Sequence, residues 1–216
     1  MTESVKRKDV STFRRKLLRW FTTHERKYPW RKTRDPFKLL LAEMMLQRTK
    51  AEQVVSVYEE LTRAAGRPEL LARLRITSLR RILRPLGLHW RIDNFRDVSR
   101  ELLRSCNGIL PRTRKELTSL PGIGDYVAGA ILAVSFRQRE WVVDSNIVRV
   151  YRRFFGLTTS KEGRRDRHVV EIAKLYANSL KPREATLALL DFAALVCKPR
   201  NPECQNCPVR KYCAEA

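Results

Sequence analysis

The sequence shows almost none of the apolar–polar alternation that marks a β-strand, and no apolar run approaches the length that spans a membrane. Its N-terminus lacks the apolar core of a secretory signal. No long linker, low-complexity segment or internal repeat interrupts the 216 residues. Acidic residues are scarce as well: 23 Asp and Glu face 45 Lys and Arg, for a formal net charge of +22. A solvated surface of the thermophile kind would normally balance Lys and Arg with Asp and Glu, so the deficit favours a charged partner over it. Cysteine is nearly missing before the last twenty residues, where Cys106 stands alone. The chain therefore has no disulfide framework, and a reducing, cytoplasmic setting without membrane attachment is expected.

What is present points the other way in each case. Basic residues recur along the whole chain, from Lys6–Lys8 and Arg14–Lys16 through Arg80–Arg84, Arg112–Lys115 and Arg164–Arg167 to Arg210–Lys211. A partner of dense negative charge, nucleic acid above all, fits that excess. A hydrophobic content of 43% supports a packed core, in one large domain or two small lobes. Helical spacing dominates. Asp35-Pro36 offers an N-cap and a first-turn proline, followed by the apolar set Phe37, Leu40, Leu41 and Met44. Val54, Val57, Tyr58 and Leu61 make a second stripe; Val127, Ala130, Ile131 and Val134 a third; Leu189, Phe192, Ala193 and Val196 a fourth. Thr113 and Glu116 have capping-box spacing. Breaks fall at Gly66-Arg67-Pro68, Pro85-Leu86-Gly87, Asn107-Gly108 and Pro121-Gly122. The fold class is all-α, built of short helices.

Three motifs carry chemistry. Cys197, Cys204, Cys207 and Cys213 fall in a C-x6-C-x2-C-x5-C pattern too tight for disulfides. Four thiolates without histidine select zinc or an iron–sulfur cluster, and a single C-x2-C knuckle leans toward the cluster. Cys106 reads as a small buried hydrophobe at a helix end. The second motif, Leu120-Pro121-Gly122-Ile123-Gly124, joins two helical patterns. Glycines there permit positive φ and leave backbone amides bare at a helix start, where they bind a phosphate oxygen without reading a base. Such a turn by itself also serves merely to join helices. The third motif is Val142-Val143-Asp144-Ser145-Asn146, in which Asp144 suits a helix N-cap, a role compatible with a carboxylate that also faces a cleft.

In this order and spacing, from about Tyr28-Pro29-Trp30-Arg31 to Cys213, the three motifs resemble the endonuclease III-type helix-hairpin-helix DNA glycosylases. The resemblance implies an all-α, two-lobe fold with the DNA cleft between lobes. Residues 30–136 would form a six-helix barrel with the hairpin; residues 1–29 and 137–216 would form the lobe carrying a [4Fe-4S] cluster. It also implies a monomer acting on double-stranded DNA that holds a mismatch or damaged base, nucleoid-associated in a prokaryote. Enzymes of this family flip a nucleotide out and hydrolyse its glycosidic bond. Asp144 takes the place of their aspartate, which supports an oxocarbenium-like centre or positions water.

The branch turns on Tyr126. Bifunctional members carry lysine there, form a Schiff base and cut the strand; tyrosine has no amine for that. The segment Pro121 to Tyr126 is similar to the G/T-mismatch thymine glycosylases, whereas adenine glycosylases usually carry serine. Glu43, in Leu41-Ala42-Glu43-Met44-Met45-Leu46-Gln47-Arg48-Thr49, matches a pocket glutamate of both branches, although helix phase alone leaves an exposed Glu43 open. Gln47 matches the residue that fills the space of the flipped nucleotide, and Arg48 resembles the thymine branch. Leu88 matches the family's wedge, with His89 and Trp90 near the pocket or the orphan guanine; a core role is equally open to Trp90. Adenine glycosylases continue past the cluster into a further domain, whereas this chain stops at Ala216. The expected function is removal of thymine, and uracil, opposite guanine without strong lyase activity. An adenine glycosylase is the first alternative; a non-catalytic DNA-binding module is the second, opposed by the joint presence of Glu43, Tyr126 and Asp144.

Overall fold

The computed structural model describes residues 7–87, 92–159 and 163–216. Among them there is no strand, as the missing alternation requires. No helix there is long and apolar enough to cross a membrane. The chain divides into two compact units, Lys27–Phe136 and Met1–Arg26 with Arg137–Ala216.

The unit Lys27–Phe136 is built of α2 (Pro29–Lys32), α3 (Pro36–Leu46), α4 (Ala51–Ala65), α5 (Pro68–Arg73), α6 (Ile76–Leu83), α7 (Ile92–Cys106), α8 (Arg114–Thr118) and α9 (Asp125–Val134). Asp35 caps α3, its side chain accepting from the Phe37 and Lys38 amides, with Pro36 at the first helical position. Beyond that cap the sequence of α3 is apolar in every helical phase. The helix is accordingly buried on all sides from Leu39 to Met45, packed against α4 and α9. Helix α9 is buried from Val127 to Val134 in the same way. Around this pair stand amphipathic helices: α4 turns Val54, Val57, Tyr58 and Leu61 inward, and α7 turns Phe95, Val98 and Leu102. Trp30 on α2 stacks on Tyr28 at 4.8 Å and meets the Tyr58 ring edge-on at 5.5 Å, so the Pro29-Trp30-Arg31 segment contributes to this core. Cys106 ends α7 but is half-buried rather than withdrawn from solvent.

The other unit holds α1 (Arg7–His24), α10 (Ser145–Phe155), α11 (Arg167–Ala177) and α12 (Pro182–Leu195), followed by the cysteine segment. Its core is aromatic. The fully buried ring of Phe13 is surrounded by those of Tyr151, Phe154, Phe155, Tyr176 and Phe192, at centroid distances of 4.3 to 6.4 Å. Polar side chains tie the helices around it. Arg14 donates to the carbonyls of Leu175 and Tyr176, in the last turn of α11, at 2.8 and 3.0 Å. Asp191, fully buried on α12, receives Arg26 Nε at 2.6 Å and the Arg26 amide at 3.0 Å, which satisfies both carboxylate oxygens.

Candidate nucleic-acid interface, carboxylates and cysteine loop

Helix α8 starts at the cap Thr113 predicts, Thr113 Oγ1 accepting from the Glu116 amide at 3.3 Å, but the Glu116 carboxylate accepts from the Thr113 hydroxyl rather than from its backbone amide, so only half of the capping box forms. Leu120 and Ile123 are buried and anchor the turn that follows, leaving Gly122 and Gly124 exposed. The two glycines do different things. Gly122 has φ +76°, and a Cβ there would lie 3.1 Å from the Asn94 side chain. Gly124 is extended, at φ −100° and ψ 178°, with nothing within 4 Å of a Cβ position. Positive φ thus explains the first glycine only. At the second, the missing side chain keeps open space in front of the first-turn amides of α9, where no side chain acts as cap.

Tyr126 lies half-buried in that first turn of α9. Glu43 sits near the middle of α3, the helix packed against α9, with only 6% of its surface exposed. The exposed alternative left open by helix phase is therefore excluded. Gln47 is the C-cap of α3. Arg48 follows it in the left-handed region at φ 64°, a conformation rare for a side-chain-bearing residue and unforeseen from the sequence. Leu88 and His89, and with them Trp90, lie outside the described residues.

Asp144 belongs to the other unit. It caps α10, Oδ1 accepting from the Ile147 amide at 2.7 Å, while Oδ2 accepts from Asn146 Nδ2 at 2.8 Å. Asn146 Oδ1 in turn accepts from Arg149 Nη1 at 2.8 Å. The rest of the Arg149 guanidinium donates to the carbonyls of Ala193 at 2.8 Å and Cys197 at 3.0 Å. Burial pulls this guanidinium below the usual arginine value; Cys197 opposes that shift, Arg153 adds to it, and Asp144 opposes it. One turn further along α10, Arg153 Nη1 donates to the Lys198 carbonyl at 2.7 Å, and the Cys213 thiol approaches the Arg153 carbonyl at 3.5 Å. The candidate carboxylate and the cysteine segment are thus held by one helix. This use of Arg149 leaves little mark in the sequence, since two of its acceptors are backbone carbonyls. Asn146, Arg149 and Arg153 at helical spacing are the trace available in sequence.

Cys197, Cys204, Cys207 and Cys213 line one cavity of about 140 Å³, walled by apolar side chains including Val150, Phe154, Phe192, Val196 and Val209. Among the described residues no group of three or more His, Cys, Asp or Glu converges closely enough to hold a single metal ion. Burial pushes the Cys207 and Cys213 thiols up, and the neighbouring cysteines push them further. A cationic centre among these sulfurs reverses that preference.

Residues 41–174 match the HhH-GPD superfamily base excision DNA repair protein model, and residues 197–213 match the iron-sulfur binding domain of endonuclease III. The chain is 36% identical to a thymine/uracil-DNA glycosylase of Pyrobaculum aerophilum over 209 residues, covering 93% of this chain and 90% of that protein. It is 31% identical to a thymine/uracil-DNA glycosylase of Methanothermobacter thermautotrophicus, covering 92% and 90%. The fold superimposes on the solved structure of a thermostable thymine-DNA glycosylase with a TM-score of 0.90, at 30% identity and covering 96% of each chain. A capped hairpin, a buried glutamate, an aspartate at a helix start and a four-cysteine cavity on an all-α frame agree with these matches. The chain is a DNA glycosylase and belongs to the HhH-GPD superfamily of base excision DNA repair proteins.

Proposed function

We propose that this glycosylase is monofunctional and, acting as a monomer, removes thymine and uracil mispaired with guanine in double-stranded DNA. Tyr126 carries the reading. It occupies the first turn of α9, directly after the hairpin, on the helix that packs against the one bearing Glu43. A lysine at this place would attack the sugar carbon and cleave the strand through a Schiff base, whereas a phenol offers no amine. The names of the relatives quoted above support the choice of base.

Each remaining residue has a defined task in this reading. The Asp144 carboxylate, held by the Ile147 amide and Asn146, stabilises positive charge that develops on the sugar as the glycosidic bond breaks. Glu43, already desolvated, hydrogen-bonds the extruded base. Gln47 occupies the vacated space in the stack, and Arg48 contacts DNA beside it. Leu88 and His89 separate and contact the opposite strand. Amides beside Gly122 and Gly124 hold a phosphate oxygen and add affinity without sequence preference.

Cys197, Cys204, Cys207 and Cys213 would hold a [4Fe-4S] cluster. The four-thiolate donor set around one apolar-walled cavity supports this, together with the match to the endonuclease III iron–sulfur domain. When bound, the cluster cross-links the segments of the cysteine loop and supplies no group to base removal.

A panel of G/T, G/U, A/G and A/oxidised-guanine duplexes tests the assignment. Thymine and uracil should be released opposite guanine, leaving an intact abasic strand that breaks only on alkali or heat. Borohydride should trap no covalent adduct. Release of adenine alone, or efficient trapping on G/T duplex, would overturn the reading.

A further inference from the structure

The cysteine loop carries an aromatic side chain that base removal does not use. Tyr212 closes the 3₁₀ turn Arg210–Tyr212 with 49% of its surface exposed, and it is the one aromatic among the exposed large hydrophobic side chains of the described residues. A packing role would bury the ring, as happens to Val209 three residues earlier. Lys16, reaching from α1, instead places its ammonium 5.6 Å from the ring centroid. Tyr212, Lys16, Arg210 and Lys211 line one open groove of about 530 Å³ together with Ala216 and the edge formed by Cys207 and Cys213, and no Asp or Glu side chain lines it. Among the described residues none of these three cations forms an ion pair. The turn that presents Tyr212 is fixed by backbone hydrogen bonds, the Tyr212 amide donating to the Val209 carbonyl and the Cys213 amide to the Arg210 carbonyl, each at 3.0 Å.

Cations without a carboxylate partner beside an exposed ring are the composition that receives an unpaired nucleic-acid strand. Phosphates take the cations, and a base face takes the ring. Paired bases in a duplex cover one another's faces, so a duplex offers phosphates to this groove but nothing to the ring. We propose that the groove of Lys16, Arg210, Lys211 and Tyr212 is a second nucleic-acid site that binds single-stranded DNA. It is separate from the residues assigned to base removal, and its occupancy does not depend on a mismatch.

Fluorescence anisotropy with a short labelled oligothymidylate tests this on the full, metal-loaded chain. Tyr212→Ala should weaken binding about tenfold, the loss of one base–aromatic stack. Tyr212→Phe should bind as the wild type does, because stacking needs the ring and not the hydroxyl. Lys211→Glu should weaken binding and flatten its salt dependence. Photocrosslinking of an iodouracil-bearing oligonucleotide to unaltered protein, followed by peptide mapping, should place the adduct on the peptide containing Tyr212. This measurement decides the matter even where a variant disturbs the cysteine loop. An adduct elsewhere, wild-type affinity in Tyr212→Ala, or equal losses in the Ala and Phe variants would each overturn the proposal.

Discussion

The two units solve the problem of holding a functional side chain in opposite ways. In Lys27–Phe136 the means is burial: Glu43 is placed by an aliphatic helix enclosed on all sides, so its environment follows from packing. In the unit of Met1–Arg26 and Arg137–Ala216, Asp144 stands at a helix start, and polar side chains rather than burial fix it. The aromatic core around Phe13 supports α10 from beneath, and guanidinium groups tether that helix to the cysteine segment. Packing tolerates volume-conserving change, whereas directional hydrogen bonds do not. Substitutions should therefore separate stability from turnover more cleanly in the second unit than in the first.

The largest expected effect tests the polar arrangement. Asp144→Asn preserves a side-chain oxygen for the Ile147 amide, so the cap survives while the negative charge is lost. Single-turnover base release should fall about a thousandfold with DNA affinity retained. Turnover near the wild-type rate would reduce Asp144 to a helix cap. Next in size is Phe13→Ala, which empties the centre of the aromatic cluster and should cost about 3 kcal/mol in chemical denaturation of the metal-loaded protein. A loss under 1 kcal/mol would mean the cluster is not what supports α10.

A smaller effect is expected from Arg149→Gln. Its Asn146 and carbonyl contacts would be lost; kcat should drop about tenfold with little change in KM, and the unpaired carbonyls should cost about 1 kcal/mol of stability. If KM rises while kcat stays constant, Arg149 acts on DNA directly rather than through Asp144. The hairpin glycines give the finest comparison. Gly122→Ala forces a side chain into the left-handed region against Asn94 and should cost about 1 kcal/mol of stability. Gly124→Ala should leave the unfolding transition unmoved and weaken binding to matched and mismatched duplexes alike. Equal behaviour of the two variants would remove the distinction drawn from their backbone angles.

Much of this architecture was legible in the residues. Asp35, Thr113 and Asp144 announce helix starts because a side-chain oxygen serves the backbone amide two or three positions on, a local relation that spacing records. The stripe Val54, Val57, Tyr58 and Leu61 faces inward as its period requires. Where legibility failed, the cause is specific. Every phase of α3 is apolar, so periodicity holds no information on which way Glu43 points; only the packing of α4 and α9 around it settles the matter. Arg149 reaches carbonyls 44 and 48 residues away, and a backbone acceptor is compatible with any residue type. Phe13 finds its ring partners on α10, α11 and α12, a convergence made by the fold rather than by neighbouring positions. Gly124 reads like Gly122 in the sequence, yet only one of the two needs a left-handed backbone.

The end of α10 touches the cysteine segment at both of its extremities. Arg153 binds the Lys198 carbonyl just after the first cysteine, while the Cys213 thiol and the Ala214 amide return to the carbonyls of Arg153 and Phe154. Gly156, at φ 65°, brings the helix terminus close enough that an added Cβ would lie 3.3 Å from that of Ala214. Part of the entropy of closing the loop is thus met by the polypeptide itself. Both ends of the cysteine loop therefore depend on one helix terminus, and fraying of α10 would loosen them together. A chain stripped of its cluster should retain its helices and rebuild the cluster when supplied with iron and sulfide, without refolding, unlike small domains that exist only around their ion.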